Sequence, residues 1–167
     1  MGQISDCVNR LAASATFAMM QKSNELAAQG VNVVNMSVGE PDFNTPDYVK
    51  NAAKQAIDEN YSTYSPVPGY MSLRKACSDK LKRENNLDYA PTQIVVSTGA
   101  KQSLCNAIMA VVNPGDEVLL PSPCWVSYPE MVKLAGGVPV VIRAGIEHDF
   151  KVTAQQIADA ITPKTKA

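Results

Sequence analysis

The sequence predicts an α/β fold: the first part of a doubly wound, mostly parallel sheet domain, preceded by an N-terminal helical arm. Three observations predict it. After about Pro91 the apolar pattern alternates between short strand-like and helix-like runs with brief connections, the signature of parallel strands joined by crossover helices. The first of these runs, Ile94-Val95-Val96-Ser97, is continuously apolar, as expected of a strand covered on both faces. Well ahead of it, Ala12 to Gln29 carries Leu, Ala, Met and Phe at helical intervals and stops at Gly30, a residue suited to the left-handed conformation that ends helices.

In chain order, that N-terminal helix is followed by a β-branched run, Val31 to Val38, and then by Gly39-Glu40-Pro41-Asp42-Phe43-Asn44-Thr45-Pro46, where two prolines forbid regular structure. Asp47 to Glu59 reads as an amphipathic helix with Val49, Ala53, Ala56 and Ile57 on one face. A polar loop broken by Pro66 and Pro68 leads to a further helix, Met71 to Glu84. Beyond the strand at Ile94, a turn at Thr98 to Lys101 opens a helix over Gln102 to Val112, ended by Asn113-Pro114-Gly115-Asp116. Glu117 to Leu120 is the next strand, and a helix through about Leu134 closes at Gly136-Gly137. Val138 to Arg143 is a third strand, Ala154 to Ile161 a helix, and Lys164 to Ala167 the approach to another strand. Two or three strands make a thin sheet where about five or six are usual, so the sequence reads as the opening section of a larger protein.

Composition bounds the function classes. In 167 residues, 46% are hydrophobic and 19% charged, a globular balance rather than a disordered one. Fifteen basic against sixteen acidic side chains leave a formal charge of -1 with no basic cluster, which argues against nucleic acid and anionic membrane as partners. No stretch approaches the roughly 20 apolar residues of a membrane-spanning helix, and the N-terminus lacks the basic start and apolar run of a leader. A cytoplasmic location is the expectation. Cys7, Cys77, Cys105 and Cys124 show no paired spacing and His148 stands alone, so no metal site is expected and the cysteines read as reduced thiols.

Four places can carry chemistry. In Ser97-Thr98-Gly99-Ala100-Lys101-Gln102 a strand runs into a helix through small residues. Free amides and the positive end of the helix dipole make such a turn an anion site, although it lacks the full glycine pattern of dinucleotide folds and P-loops and also reads as an ordinary βα turn. In the stiff Gly39 to Phe43 loop, Gly39 either presents an amide to a ligand or simply turns the chain. Trp125, the only tryptophan, lies beyond the C-terminal edge of a strand, where ligands collect in open α/β sheets; its indole either stacks on a flat ring or packs in the core. Tyr64 is a loop phenol able to donate to an anion, or a plain surface tyrosine. Nothing resembles a Ser-His-Asp or Cys-His nucleophile arrangement.

Taken in order, Ser37-Val38-Gly39-Glu40-Pro41-Asp42-Phe43, Tyr64-Ser65-Pro66-Val67-Pro68-Gly69 with Leu73-Arg74, Thr98-Gly99-Ala100-Lys101-Gln102, and Pro121-Ser122-Pro123-Cys124-Trp125-Val126-Ser127-Tyr128-Pro129 resemble the N-terminal part of the class I aminotransferases, pyridoxal-phosphate enzymes of fold type I. The chain is most similar to the bacterial aspartate aminotransferases, and the resemblance extends over essentially all of it. It implies an N-terminal arm and small-domain segment over 1–46 and the incomplete first part of the cofactor-binding large domain over 47–167. It also implies that Gly99, Ala100 and Lys101 cradle the phosphate of pyridoxal 5'-phosphate and that Trp125 stacks on its ring. Tyr64 would reach the phosphate in the neighbouring subunit of a homodimer with shared active sites. Gly39, Trp125 and Thr16 would border the substrate.

The implied reaction is transamination between an amino acid, aspartate by family default, and a 2-oxo acid, with the cofactor ring as electron sink. No lysine here matches the family's Schiff-base lysine. Lys101 belongs to the phosphate turn, and no catalytic residue is expected within these 167 positions. The expectation is therefore an aminotransferase parent and an inactive isolated chain. The alternatives are a carbon-sulfur lyase or related enzyme of the same fold, and a non-catalytic phosphate-binding α/β module.

Overall fold

The computed structural model describes residues 4–37 and 39–167; Val38, at the end of the predicted apolar run, and the first three residues lie outside the described set. The helices are α1 (Asp6–Asn9), α2 (Ala15–Ala28), α3 (Asp47–Asp58), α4 (Met71–Asn85), α5 (Ala100–Val111), α6 (Ser127–Leu134) and α7 (Ala154–Ala160). Two strands, β1 (Glu117–Ser122) and β2 (Val138–Arg143), flank α6, and short 3-10 turns occupy Pro91–Gln93 and Ile146–His148. The chain forms two compact units: Ala15–Ser97, and Thr98–Ala167 together with the residues up to Ser14.

The second of these holds the sheet. β1 and β2 pair in parallel with Glu117 opposite Val138 and Ser122 opposite Arg143. On the other side of β1 a third parallel strand begins: the Glu117 amide donates to the Lys164 carbonyl, Lys166 N–H to Glu117 O and Leu119 N–H to Ala167 O, each at 2.8 Å. The predicted approach to a strand at Lys164 is thus a pairing segment, and β1 is central. Val118 and Leu120 of β1 pack with Val112 and the fully buried Val132 of α6, with Ile108, Tyr128 and Ala135 around them. α7 starts where Thr153 and Gln156 cap each other, the Thr153 Oγ1 accepting from the Gln156 amide and the Gln156 Oε1 from the Thr153 amide.

The N-terminal residues are tied to this unit by Glu130 on α6. Its carboxylate accepts from Lys133 Nζ and from the Ala12 amide, each at 2.8 Å. The lysine first, and the amide second, hold this carboxyl below its ordinary value of 4.5. A lowered folded value means stabilisation that is present above about pH 4.5 and disappears as pH falls through the folded value. Protection of the Ala12 amide from hydrogen exchange should accordingly drop on acidification below about pH 4.5. Glu130→Gln should flatten that dependence, and a profile in the unaltered protein that is already flat would refute the tether.

In the unit Ala15–Ser97, α4 lies against the segment that follows it. Its inner face donates twice to that segment's backbone, Arg74 Nε to the Ile94 carbonyl and Ser78 Oγ to the Tyr89 carbonyl. Ile94–Ser97, expected as a strand with both faces covered, is not one: it enters no ladder among the described residues, and Val95 is 66% exposed. A strand needs a neighbour, and among the described residues its backbone meets only single contacts. The apolar side of α3 is likewise bare, Ile57 standing largely in solvent, as does Met19 of α2.

Candidate functional site

α5 begins at Gly99, whose φ of 86° and ψ of 164° only glycine adopts readily. Thr98 donates its amide to the side chain of Gln102, one turn on, and Ser103 N–H closes the first helical bond to Gly99 O at 3.3 Å. The amides of Ala100, Lys101 and Gln102 then have no acceptor among the described residues, as the first turn of a helix requires. All three residues are exposed, and no atom lies within 4 Å of the place where a Cβ on Gly99 would stand. Three outward amides at the positive end of a 12-residue helix, beside open space, suit a compact anion such as a phosphate monoester. The helix starts two residues earlier than its apolar pattern suggests, with Gly99 at its N-cap and no side chain capping its first-turn amides.

Trp125 enters from the C-terminal end of β1. The chain leaves Ser122 through a cis Ser122–Pro123 bond and reaches Trp125, whose carbonyl accepts the Tyr128 amide to start α6. Trp125 is 49% exposed, so it is not a core tryptophan. The structure brings it to the turn at Gly99: Lys101 Nζ sits 5.3 Å from the indole centroid, a cation–π contact between the start of α5 and the loop after β1. A flat aromatic face next to amides that accept an anion can hold a planar ring bearing a phosphate.

The other predicted residues belong to the unit Ala15–Ser97. Thr16, half-buried on α2, lines with Met19 a cleft of about 440 Å³ whose far wall is Val34, Asn35 and Met36. Gly39 is exposed with open space around it, and Tyr64 is fully exposed beside Ser62 and Thr63. No group of His, Cys, Asp or Glu among the described residues is placed to hold a metal, and none of the described helices is long and apolar enough to cross a membrane.

The family model of the class I and II aminotransferases matches residues 31–167. The chain belongs to that family. Over 166 residues it is 51% identical to an aspartate/prephenate aminotransferase of Cereibacter sphaeroides, an alignment spanning 99% of this chain and 42% of that one. An aspartate aminotransferase of Bacillus sp. strain YM-2 is 48% identical across 96% of this chain and 41% of its own. A Thermus thermophilus aspartate aminotransferase solved with maleate superimposes with a TM-score of 0.94 at 44% identity, over 99% of this chain and 44% of that one. The chain therefore spans less than half the length of these relatives.

Two residues of this aminotransferase-family chain escaped the sequence reading. Gln102 was legible as part of a motif, but not as the acceptor of the Thr98 amide. Arg74 is the only charged side chain buried among the described residues, at 8% exposure. Its signal lay in spacing: Arg74, Cys77, Ser78 and Leu81 share one helical face, and a cation within such a stripe has a buried partner.

Proposed function

We propose that this chain supplies the phosphate cradle and ring-stacking face of a pyridoxal-phosphate-dependent aminotransferase. The observation that supports this most directly is the set of unclaimed amides at Ala100 and Lys101 beside the exposed Trp125 indole. In this reading Gly99 leaves space for the phosphate, Ala100 and Lys101 donate their amides to it, and Trp125 covers one face of the pyridine ring. Tyr64 donates to the phosphate in a neighbouring subunit, and Gly39 and Thr16 border the substrate. Residues 1–46 form an arm and small-domain segment, and 47–167 begin the large domain. The bound cofactor would supply an electron sink for breaking bonds at the amino acid's α-carbon.

The reaction we assign to the longer protein is amino-group exchange between aspartate and a 2-oxo acid in a cytoplasmic homodimer. Relatives named for aspartate and prephenate, and one solved with the dicarboxylate maleate, support acidic substrates over those of a carbon-sulfur lyase. The 167 residues by themselves hold no counterpart of the Schiff-base lysine and should not transaminate.

Trp125 provides the test, since it is the only tryptophan of the chain. Titration with pyridoxal phosphate should quench its emission, and Trp125→Ala, which has no tryptophan and is followed instead by equilibrium dialysis of the cofactor, should bind about tenfold more weakly, in line with the roughly 1.4 kcal/mol that a lost aromatic stack represents. Emission unmoved by saturating cofactor, or oxo-acid formation by the 167-residue chain that depends on Lys101, would overturn this reading.

A further inference from the structure

The sheet ends differently on its two sides. Beyond β1 it continues into Lys164–Ala167, whereas the outer side of β2 meets no strand among the described residues. An open edge carries a row of unpaired N–H and C=O groups, a template on which a strand of another chain can pair. Which groups form that row follows from the register. Val138 donates its amide to Asp116 O at 2.8 Å and Ala144 to Ser122 O at 2.9 Å. Bonds of a parallel pair engage every second residue, so Val138, Val140, Ile142 and Ala144 face β1. Pro139, Val141 and Arg143 then turn their backbone groups outward, and the half-exposed side chains of Val138 and Val141 add apolar surface that an incoming strand could cover.

The row is blunted at both ends. Pro139 has no N–H to offer, so a carbonyl brought opposite it would be buried without a donor. The Arg143 carbonyl is already taken, accepting from Gln156 Nε2 at 3.1 Å. That glutamine is held in place from its other end. Its Oε1 accepts the Thr153 amide at 2.9 Å, and its own amide donates to Thr153 Oγ1 at 3.2 Å, so the pair that caps α7 also aims the Nε2 donor at β2. A strand docking here would have to displace Gln156 and give up part of that cap. What remains free between the two blocks is shorter than the roughly five to six residues of an ordinary strand.

We infer that Pro139 and Gln156 close the outer edge of β2 to strand addition by a second copy of the chain, so that β2 is a terminal strand and the sheet grows only beyond Lys164–Ala167. This goes beyond the cofactor reading and does not depend on it.

The experiment uses the complete protein. By hydrogen exchange the Val141 amide should be at least about tenfold faster than those of Val140 and Ile142, the ratio that about 1.4 kcal/mol of pairing represents. Pro139→Val restores the missing donor, and Gln156→Glu keeps an acceptor for the Thr153 amide while removing the donor to Arg143. The double variant should associate edge to edge. Its sedimentation coefficient should rise with concentration above that of the unsubstituted protein, and its Val141 amide should become protected over the same range. A Val141 amide as slow as its neighbours in the unsubstituted protein would mean that another strand covers the edge, and would overturn the inference. So would a folded double variant that sediments like the unsubstituted protein at every concentration. If the double variant does not fold, Pro139→Val alone decides by the same two readouts.

Discussion

Gly99→Ala is expected to weaken pyridoxal phosphate binding roughly ten- to hundredfold where the turn relaxes around the new side chain, and to lower the melting temperature where it does not. The reason is conformational. At φ 86° and ψ 164° the residue occupies a region that is essentially reserved for glycine, and forcing a side chain there costs about 1–3 kcal/mol. No atom lies within 4 Å of the added methyl, so packing offers no second explanation. Either the turn keeps its shape and the strain appears as lost stability, or it relaxes and the amides of Ala100 and Lys101 cease to converge. Since every 1.4 kcal/mol is tenfold in affinity, relaxation predicts a loss of roughly ten- to hundredfold in a Trp125 fluorescence titration. Pyridoxal without its phosphate should lose much less. An unchanged affinity together with an unchanged melting temperature would show that the turn tolerates a side chain and is not the anion site.

Gly137→Ala acts on the core rather than the site, and its effect on stability should be the largest of any single methyl added to the sheet unit. Gly137 follows α6 and has no positive φ, so the cost is steric. The new Cβ would fall 2.7 Å from Val112 Cγ1 and 3.1 Å from both Val132 Cγ1 and the Asp116 carbonyl oxygen. Val132 is fully buried and the Asp116 carbonyl is held by the Val138 amide at 2.8 Å, so neither gives way freely. Overpacking of this kind costs about 1–3 kcal/mol. That corresponds to a melting temperature lower by roughly 3–10 °C for a chain of this size. Gly39→Ala, where nothing lies within 4 Å and no positive φ is needed, is the control and should leave the melting temperature nearly unchanged. Val112→Ala in the Gly137→Ala background should recover part of the loss, because residues in contact do not act additively. A Gly137→Ala protein that melts with the unsubstituted chain would mean that this junction is looser than it stands.

Elements with strong periodicity and clear punctuation were legible before any coordinates. β2 runs over the predicted residues, β1 extends two further, α3 and α4 end within a residue of expectation, and the segment at Lys164 pairs where a further strand was anticipated. The candidate site was read in the same way. Gly99 to Lys101 could be read because a small-residue turn between a strand-like run and a helix has a local physical meaning, and Trp125 because of its place after β1. What could not be read was whether an apolar run finds a neighbour. Ile94–Ser97 has the composition of a buried strand and stays unpaired, since pairing depends on which backbone lies alongside and not on the run itself.

Local pattern alone determined the α/β class, the order of the elements, the turn at Gly99 and the family resemblance, because each depends on residues close together in the chain. Tertiary structure decided that β1 is central, that Arg74 is buried against a carbonyl twenty residues away, and that the Lys101 ammonium stands over the Trp125 ring. Those facts join positions far apart in sequence. Which distant groups meet is set by packing and by the closing of long loops, and neither leaves a mark on the spacing of nearby side chains.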